Sequence, residues 1–178
     1  MDTTITLTGA ERQVRPSEII STRTDPRGVI TFANPAFLAV TGFAQDEVLD
    51  KPHNIIRHPD VPRAVYHALW QGIQGGETFF AVTKNRCKNG DHYWTLGYFN
   101  PCFPDGSTDI VGYRSTRKGF HSAALKQQFD DLFQEVRKAE QAVPRPEQVK
   151  AGLEALAKGL RKRGFGDYQQ MSRQALAE

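Results

Sequence analysis

Asp25-Pro26-Arg27-Gly28-Val29-Ile30-Thr31-Phe32-Ala33-Asn34-Pro35-Ala36-Phe37 holds a turn, a strand and a helix start in one short stretch. Asp25-Pro26-Arg27-Gly28 is turn chemistry, with proline and glycine placed for a tight reversal. Residues 29–32 are β-branched and aromatic, which predicts a strand. The run 18–24 before the turn reads as a partner strand, so the two close a hairpin. Asn34 is a cap residue set before Pro35 at the first helical turn, and Gly42 ends the short helix that carries Phe37, Leu38 and Thr41.

Working outward, residues 45–60 hold short helical turns broken by Pro52 and Pro59. Residues 61–75 predict one amphipathic helix, with Val65, Leu69 and Ile73 at i, i+4 and i+8. Three strand-like runs follow, at about 78–88, 91–103 and 108–118, joined by Asn89-Gly90 and by Pro104-Asp105-Gly106. Strands at both ends with helices between define an α+β domain built on a five-stranded antiparallel sheet, with short helices on one face. Residues 1–18 have no clear period and read as a mobile or partner-dependent N-terminal cap. The core domain spans 19–118, and 119–178 is a C-terminal helical segment. Leu125, Phe129, Leu132 and Val136 form one narrow apolar stripe, and Val149, Leu153, Leu156 and Leu160 a second. Pro144 and Pro146 separate them, which predicts a helical hairpin. Such stripes must meet each other, the sheet or another chain.

Composition narrows the class. Hydrophobic content of 39% and charge of 24% are ordinary for a globular protein. A net charge of +3 is too small to imply nucleic acid. No apolar run approaches the roughly 20 residues of a membrane span, and no signal-peptide core opens the chain. Cys87 and Cys102 make neither a metal-ligand spacing nor a disulfide framework. The expected compartment is the cytoplasm. Nucleophile elbows, paired carboxylates in a defined frame and zinc-type spacings are missing from the sequence, so an enzyme is not expected.

Two dense segments, 53–60 and 84–94, set polar side chains beside apolar and aromatic ones, a mixture that suits a planar, partly charged organic ligand. With the opening stretch, with Thr41-Gly42-Phe43, Glu47-Val48-Leu49 and Trp70, and with Gly112-Tyr113-Arg114-Ser115-Thr116-Arg117, they resemble a PAS domain. Pro52-His53-Asn54-Ile55-Ile56-Arg57-His58-Pro59-Asp60 narrows the resemblance to the flavin-binding PAS domains of bacterial aerotaxis receptors. The resemblance covers roughly residues 19–118. It implies bound FAD, a ligand between the sheet and the short helices, and a redox or oxygen signal. Aerotaxis receptors usually carry membrane spans and a signalling bundle after this domain. The chain is therefore expected to be either a stand-alone sensor or the front of a larger protein.

Within that frame Arg57 is expected to fork onto phosphate oxygens, His58 to donate to phosphate or ribose, and Asp60 to orient a cation or cap the helix near Val61. His53 and Asn54 are placed in the same pocket. Trp70 could stack on a flavin ring or serve as plain core. Asn85 is the expected redox reader, because its amide both donates and accepts and can follow a ring nitrogen that changes role on reduction. Asn34 is either a contact or only a helix cap. Tyr93 and Trp94 alternate faces, and Trp94 is the one assigned to the pocket. The position expected to hold the cysteine of blue-light PAS domains lies within 54–57, where there is none. Two rival readings stay open: a haem gas sensor using His53, His58, His67 or His92, and a ligand-free dimerisation module. A homodimer that signals to a partner through the tail or the N-terminal cap is expected in the leading reading.

Overall fold

The computed structural model describes residues 5–176. Its sheet has five strands, β1 (Ile20–Thr24), β2 (Ile30–Ala33), β3 (Phe79–Arg86), β4 (His92–Cys102) and β5 (Gly112–Gly119), in the order β2-β1-β5-β4-β3. Every neighbouring pair is antiparallel. Between β2 and β3 lie α1 (Pro35–Thr41), α2 (Gln45–Val48), a single 3₁₀ turn at 53–56 and α3 (Arg63–Gln74). The predicted local chemistry holds: the Asn34 side chain accepts from the Phe37 N–H, Pro35 opens α1 and Gly42 closes it in the left-handed region. Asp25 Oδ1 accepts from the N–H groups of Arg27 and Val29, which fixes the first turn.

The tail is more than a hairpin. It comprises α4 (Ala123–Gln141), α5 (Gln148–Lys162) and α6 (Tyr168–Arg173), and it wraps around the β3 edge of the sheet. The first stripe buries against the sheet's outer face. Leu125, Phe129, Leu132 and Val136 are all buried, and Trp94 stacks on Phe133 with ring centroids 6.2 Å apart. α5 packs between α4 and α3. Gly152 allows this, because a Cβ there would lie 2.9 Å from the Ala64 Cβ and 2.5 Å from a Glu140 oxygen. Gly159 does the same against Leu132. A helical glycine costs about 1 kcal/mol against alanine, so close packing is the reason for both. α6 then covers the otherwise unpaired edge of β3. Gln169 Oε1 accepts from the Phe80 N–H, Ser172 Oγ accepts from the Val82 N–H, and the Tyr168 hydroxyl donates to the Val82 carbonyl. An edge covered in this way is closed to pairing with other chains.

The N-terminal segment, expected to be a mobile or partner-dependent cap, packs against the domain in its described part. Its described part lies along the β3–β4 turn: Thr8 N–H donates to Gly90 O, Arg12 pairs with Asp91, and Val14 is buried. Residues 1–4 of that cap lie outside the described residues.

Glu140 gives α3 its N-terminal cap from another helix. Pro62 precedes α3 and has no side chain to cap it. Instead the Glu140 carboxylate, 5% exposed, accepts from the N–H groups of Arg63 at 3.1 Å and Ala64 at 2.8 Å. Asp60, expected to cap this helix, is engaged elsewhere. Removing a capping side chain costs about 0.5–2 kcal/mol, so Glu140→Ala should lower stability by about that amount in urea unfolding, and Glu140→Gln by less. Equal stability of the wild type and Glu140→Ala would mean that water replaces the cap without loss.

Candidate functional site

Antiparallel pleating puts every second residue of the sheet on the face toward α3. Thr22 and Thr24 of β1, Thr83 and Asn85 of β3, Phe99 of β4, and Tyr113, Ser115 and Arg117 of β5 wall one side of a cavity of about 480 Å³. Tyr66, His67, Leu69, Trp70 and Ile73 of α3 wall the other, with His53, Asn54, Ile56 and Arg57 between. Val149 of α5 reaches the same cavity. The volume lies within the roughly 300–1,000 Å³ of small-molecule sites.

The walls combine flat apolar surface with polar groups. Trp70 meets Tyr113 edge to face at 5.2 Å. Gly28 makes room for the indole: it has φ +82°, and a Cβ there would sit 2.9 Å from the ring. Asn85 is 4% exposed, and its amide donates to Thr83 Oγ1 at 3.1 Å, leaving the amide oxygen without a partner among the described residues. Thr22 Oγ1 lies 2.9 Å from His53 Nε2 and 2.8 Å from Ser115 Oγ. Arg57 lies over the Tyr66 ring at 4.1 Å. Arg57 Nε, Tyr66 OH, Arg117 Nε and Thr24 Oγ1, all on cavity residues, are buried without a hydrogen-bond partner among the described residues. Buried polar atoms without partners are costly. Grouped around one cavity, they fit a polar ligand that supplies the missing partners.

The charge has one sign. Arg27, Arg57, Arg63 and Arg117 line the cavity, and no Asp or Glu does among the described residues. Arg114 also borders it, although the pleat turns its side chain to the opposite face. Burial pushes His53 down to about 3, with Arg117 adding to the shift, so the imidazole is neutral. Burial raises the Tyr66 phenol to about 12, so it stays protonated. An anionic ligand is the complement of such a wall.

His53, Asn54, Arg57, Trp70 and Asn85 therefore meet around the cavity as expected, and four expected contacts do not. Asn34 is spent as the α1 cap and also donates to the Ile19 carbonyl at 2.7 Å. Trp94 is on the outer face beneath α4, and Tyr93 occupies the inner face. The pleat decides this, since Tyr93 pairs with Asn85 and Trp94 with Lys84. His58 and Asp60 point away from the cavity into a network with the tail. Asp60 accepts from Lys84 at 3.1 Å and Arg137 at 3.0 Å and lies 3.4 Å from His58, while Lys84 also donates to Asp130 at 3.1 Å. Burial raises the Asp60 carboxyl, but His58, Lys84 and Arg137 outweigh it and hold the group below the usual carboxylate range. Burial, with Lys84, His92 and Arg137, brings His58 down to about 4 against the pull of Asp60. Tyr66, Thr83, Ser115 and Arg117 were not expected in the site. The alternation of Tyr113, Ser115 and Arg117 along β5 was the available signal for the last two. Neither cysteine lines the cavity.

Residues 30–117 match the family described as the PAS fold. A light-oxygen-voltage domain studied with a flavin analogue superposes with a TM-score of 0.56 at 23% identity, covering 64% of this chain and 84% of that one. The light-state LOV domain of the blue-light photoreceptor Aureochrome1 gives 0.54 at 19% identity, covering 67% and 91%. At these identities the likeness is one of fold. Residues 30–117 are thus a PAS domain. In sequence the chain is 42% identical over 94 residues to the aerotaxis receptor of Escherichia coli (strain K12), covering 53% of this chain and 18% of that protein. It is 33% identical over 78 residues to the biofilm dispersion protein BdlA of Pseudomonas aeruginosa, covering 43% and 19%. The PAS domain of this chain is thus similar in sequence to a part of the aerotaxis receptor. The chain spans less than a fifth of the length of either relative.

His53 and His58, together with His92, which burial lowers in the same direction, set a pH dependence. In the unfolded chain each titrates near 6.5, and in the folded protein near 3 for His53 and 4 for His58. Between those values the unfolded chain holds the extra protons, so stability falls as pH drops below about 6.5. Each histidine contributes up to about 1.4 kcal/mol per pH unit. Urea unfolding at several pH values from 6.5 to 4.5 should reveal that loss, and His53→Gln should flatten the slope by about one proton. A variant with the wild-type slope would place the uptake elsewhere.

Proposed function

We propose that this chain is a non-enzymatic sensor that binds FAD in the PAS cavity and passes the redox state of the flavin to its C-terminal helices. The observation that carries this reading is the cavity itself: aromatic walls, buried polar atoms without partners, and arginines without a carboxylate. The likeness to the aerotaxis receptor supports a redox or oxygen input. FAD, when bound, supplies reversible electron acceptance. The residues of the chain supply the rest. Trp70 and Tyr113 offer surface for the ring, Asn85 offers an amide to its edge, and Arg57, Arg63 and Arg27 offer cations to phosphates.

Output follows from which residues adjoin the cavity. Asn85 faces the cavity and the next residue back, Lys84, faces the tail. Arg57 faces the cavity and His58 faces the tail network. Arg57 and Asn85 are themselves bridged as antiparallel partners. A shift of Asn85 or Arg57 by one rotamer or one hydrogen bond therefore acts on the Asp60, Lys84, Asp130 and Arg137 contacts that hold α4. A switch of this kind needs only a few kcal/mol between two packings. The apolar stripes of the tail are already covered, so a homodimer would use the uncovered outer half of the sheet, where Ile19, Phe32 and Tyr98 are exposed. No helix among the described residues is long and apolar enough to cross a membrane, in keeping with the proposed cytoplasmic site of action.

Freshly purified protein should show flavin bands in the near-UV and blue, and denaturation should release FAD. A Soret band would support the haem reading instead, and a featureless spectrum the ligand-free module. Arg57→Ala should lower FAD affinity roughly tenfold or more, the effect of losing a charge-assisted contact of about 1.5–3 kcal/mol. Full flavin content in that variant at limiting FAD would remove Arg57 from the site.

A further inference from the structure

Arg117 is 2% exposed at the centre of the sheet, the largest fully buried side chain among the described residues. Its recorded contacts are few for a guanidinium. One nitrogen donates to Thr22 Oγ1 at a long 3.4 Å, the Phe37 ring lies 5.9 Å away, and Nε has no partner among the described residues. Every titratable neighbour is uncharged in its ordinary state. Burial keeps His53 neutral, and burial raises the phenols of Tyr66 and Tyr93. The Tyr93 hydroxyl is close to the guanidinium and also lacks a well-formed hydrogen bond. No carboxylate among the described residues pairs with Arg117. Burial lowers its pKa, yet a guanidinium remains charged in proteins. A buried cation without a counter-charge opposes folding. Its retention calls for an anion that the chain itself does not supply.

We propose that Arg117 is a cofactor-binding residue whose counter-charge comes from the ligand ring, and that it sets how readily that ring accepts electrons. This rests on the flavin reading above. The other cavity arginines divide by depth. Arg27 and Arg63 are exposed, where a ligand's phosphates would meet solvent, whereas Arg117 is buried on the central strand of the sheet. Addition of two electrons and one proton to a neutral flavin ring, drawn from a cellular reductant of the hydride-donor class, leaves the ring with one negative charge. Arg117 favours that charged form over the oxidised one and so raises the reduction potential. In the empty cavity the same charge is a burden on stability.

The test is a comparison of full-length wild type, Arg117→Met and Arg117→Lys, each with and without FAD. Arg117→Met should melt at a higher temperature than wild type without FAD, and should bind reduced flavin at least tenfold more weakly relative to oxidised flavin. That ratio equals a fall of about 30 mV in a two-electron potential. Sulfite, which adds to the ring and leaves it negatively charged, should likewise bind at least tenfold more weakly. Arg117→Lys keeps the charge and should stay closer to wild type in both ratios. Flavin-loaded Arg117→Met with wild-type potential and sulfite affinity overturns the proposal and leaves FAD binding standing. Loss of folding in Arg117→Met without FAD also overturns it, because a charge that the fold itself needs is not held for a ligand. A wild type that takes up no flavin overturns the proposed function and this inference together.

Discussion

The electrostatics of the cavity wall constrain everything else in this molecule. Four arginine side chains border a cavity that no carboxylate lines among the described residues. Elsewhere the chain pairs its buried charges with care: Lys84 has Asp60 and Asp130, Lys126 has Glu11, and Glu140 has two backbone N–H groups. In the proposed reading, the contrast separates charges that serve the fold from charges left open to a ligand. It also explains why the wall threonines, Ser115 and His53 bond to one another, since together they neutralise polar groups that would otherwise be orphaned around the same space.

The tail is attached by a second, polar stripe. On α4, Lys126, Asp130, Arg137 and Glu140 share a side of the helix and reach, respectively, Glu11 of the N-terminal segment, Lys84 of β3, Asp60 ahead of α3 and the N-terminus of α3. Each of those targets lies on, or a few residues from, an element that borders the cavity or lies along the β3–β4 turn. The apolar stripe beside it supplies most of the burial, and hydrophobic contact is indifferent to small shifts. The polar stripe is directional, so in the proposed switch it is the part that would respond when Asn85 or Arg57 moves.

Much of the fold was legible in the sequence. Turn residues, β-branched runs and the 3.6-residue period placed all five strands and the central helix, because each depends on local chemistry. Asn34 was readable as a cap for the same reason. What could not be read was which face of the domain a residue looks toward when two neighbours compete. Trp94 and Tyr93 are adjacent, equally aromatic and equally buried, and only the pairing register with β3 decides between them. His58 and Asp60 belong to a motif of which Pro52, His53, Asn54, Ile56 and Arg57 line the cavity, yet the 3₁₀ turn at 53–56 ends just before them, and the chain then turns toward α4. Glu140 as the cap of α3 spans 76 residues of sequence, a distance at which no local pattern gives a signal. Arg117 was within a recognised strand, but its lack of a partner is a property of three dimensions alone.

Titration of apoprotein with riboflavin, FMN and FAD tests the charge-complementary cavity most directly, because the three ligands share one ring and differ in anionic tail. The expected order of affinity is FAD, then FMN, then riboflavin, with the gap between FAD and riboflavin narrowing as salt is raised from low to high concentration. Equal affinity for riboflavin and FAD at every salt concentration, or no binding of any of the three, would contradict a site built around anionic flavin.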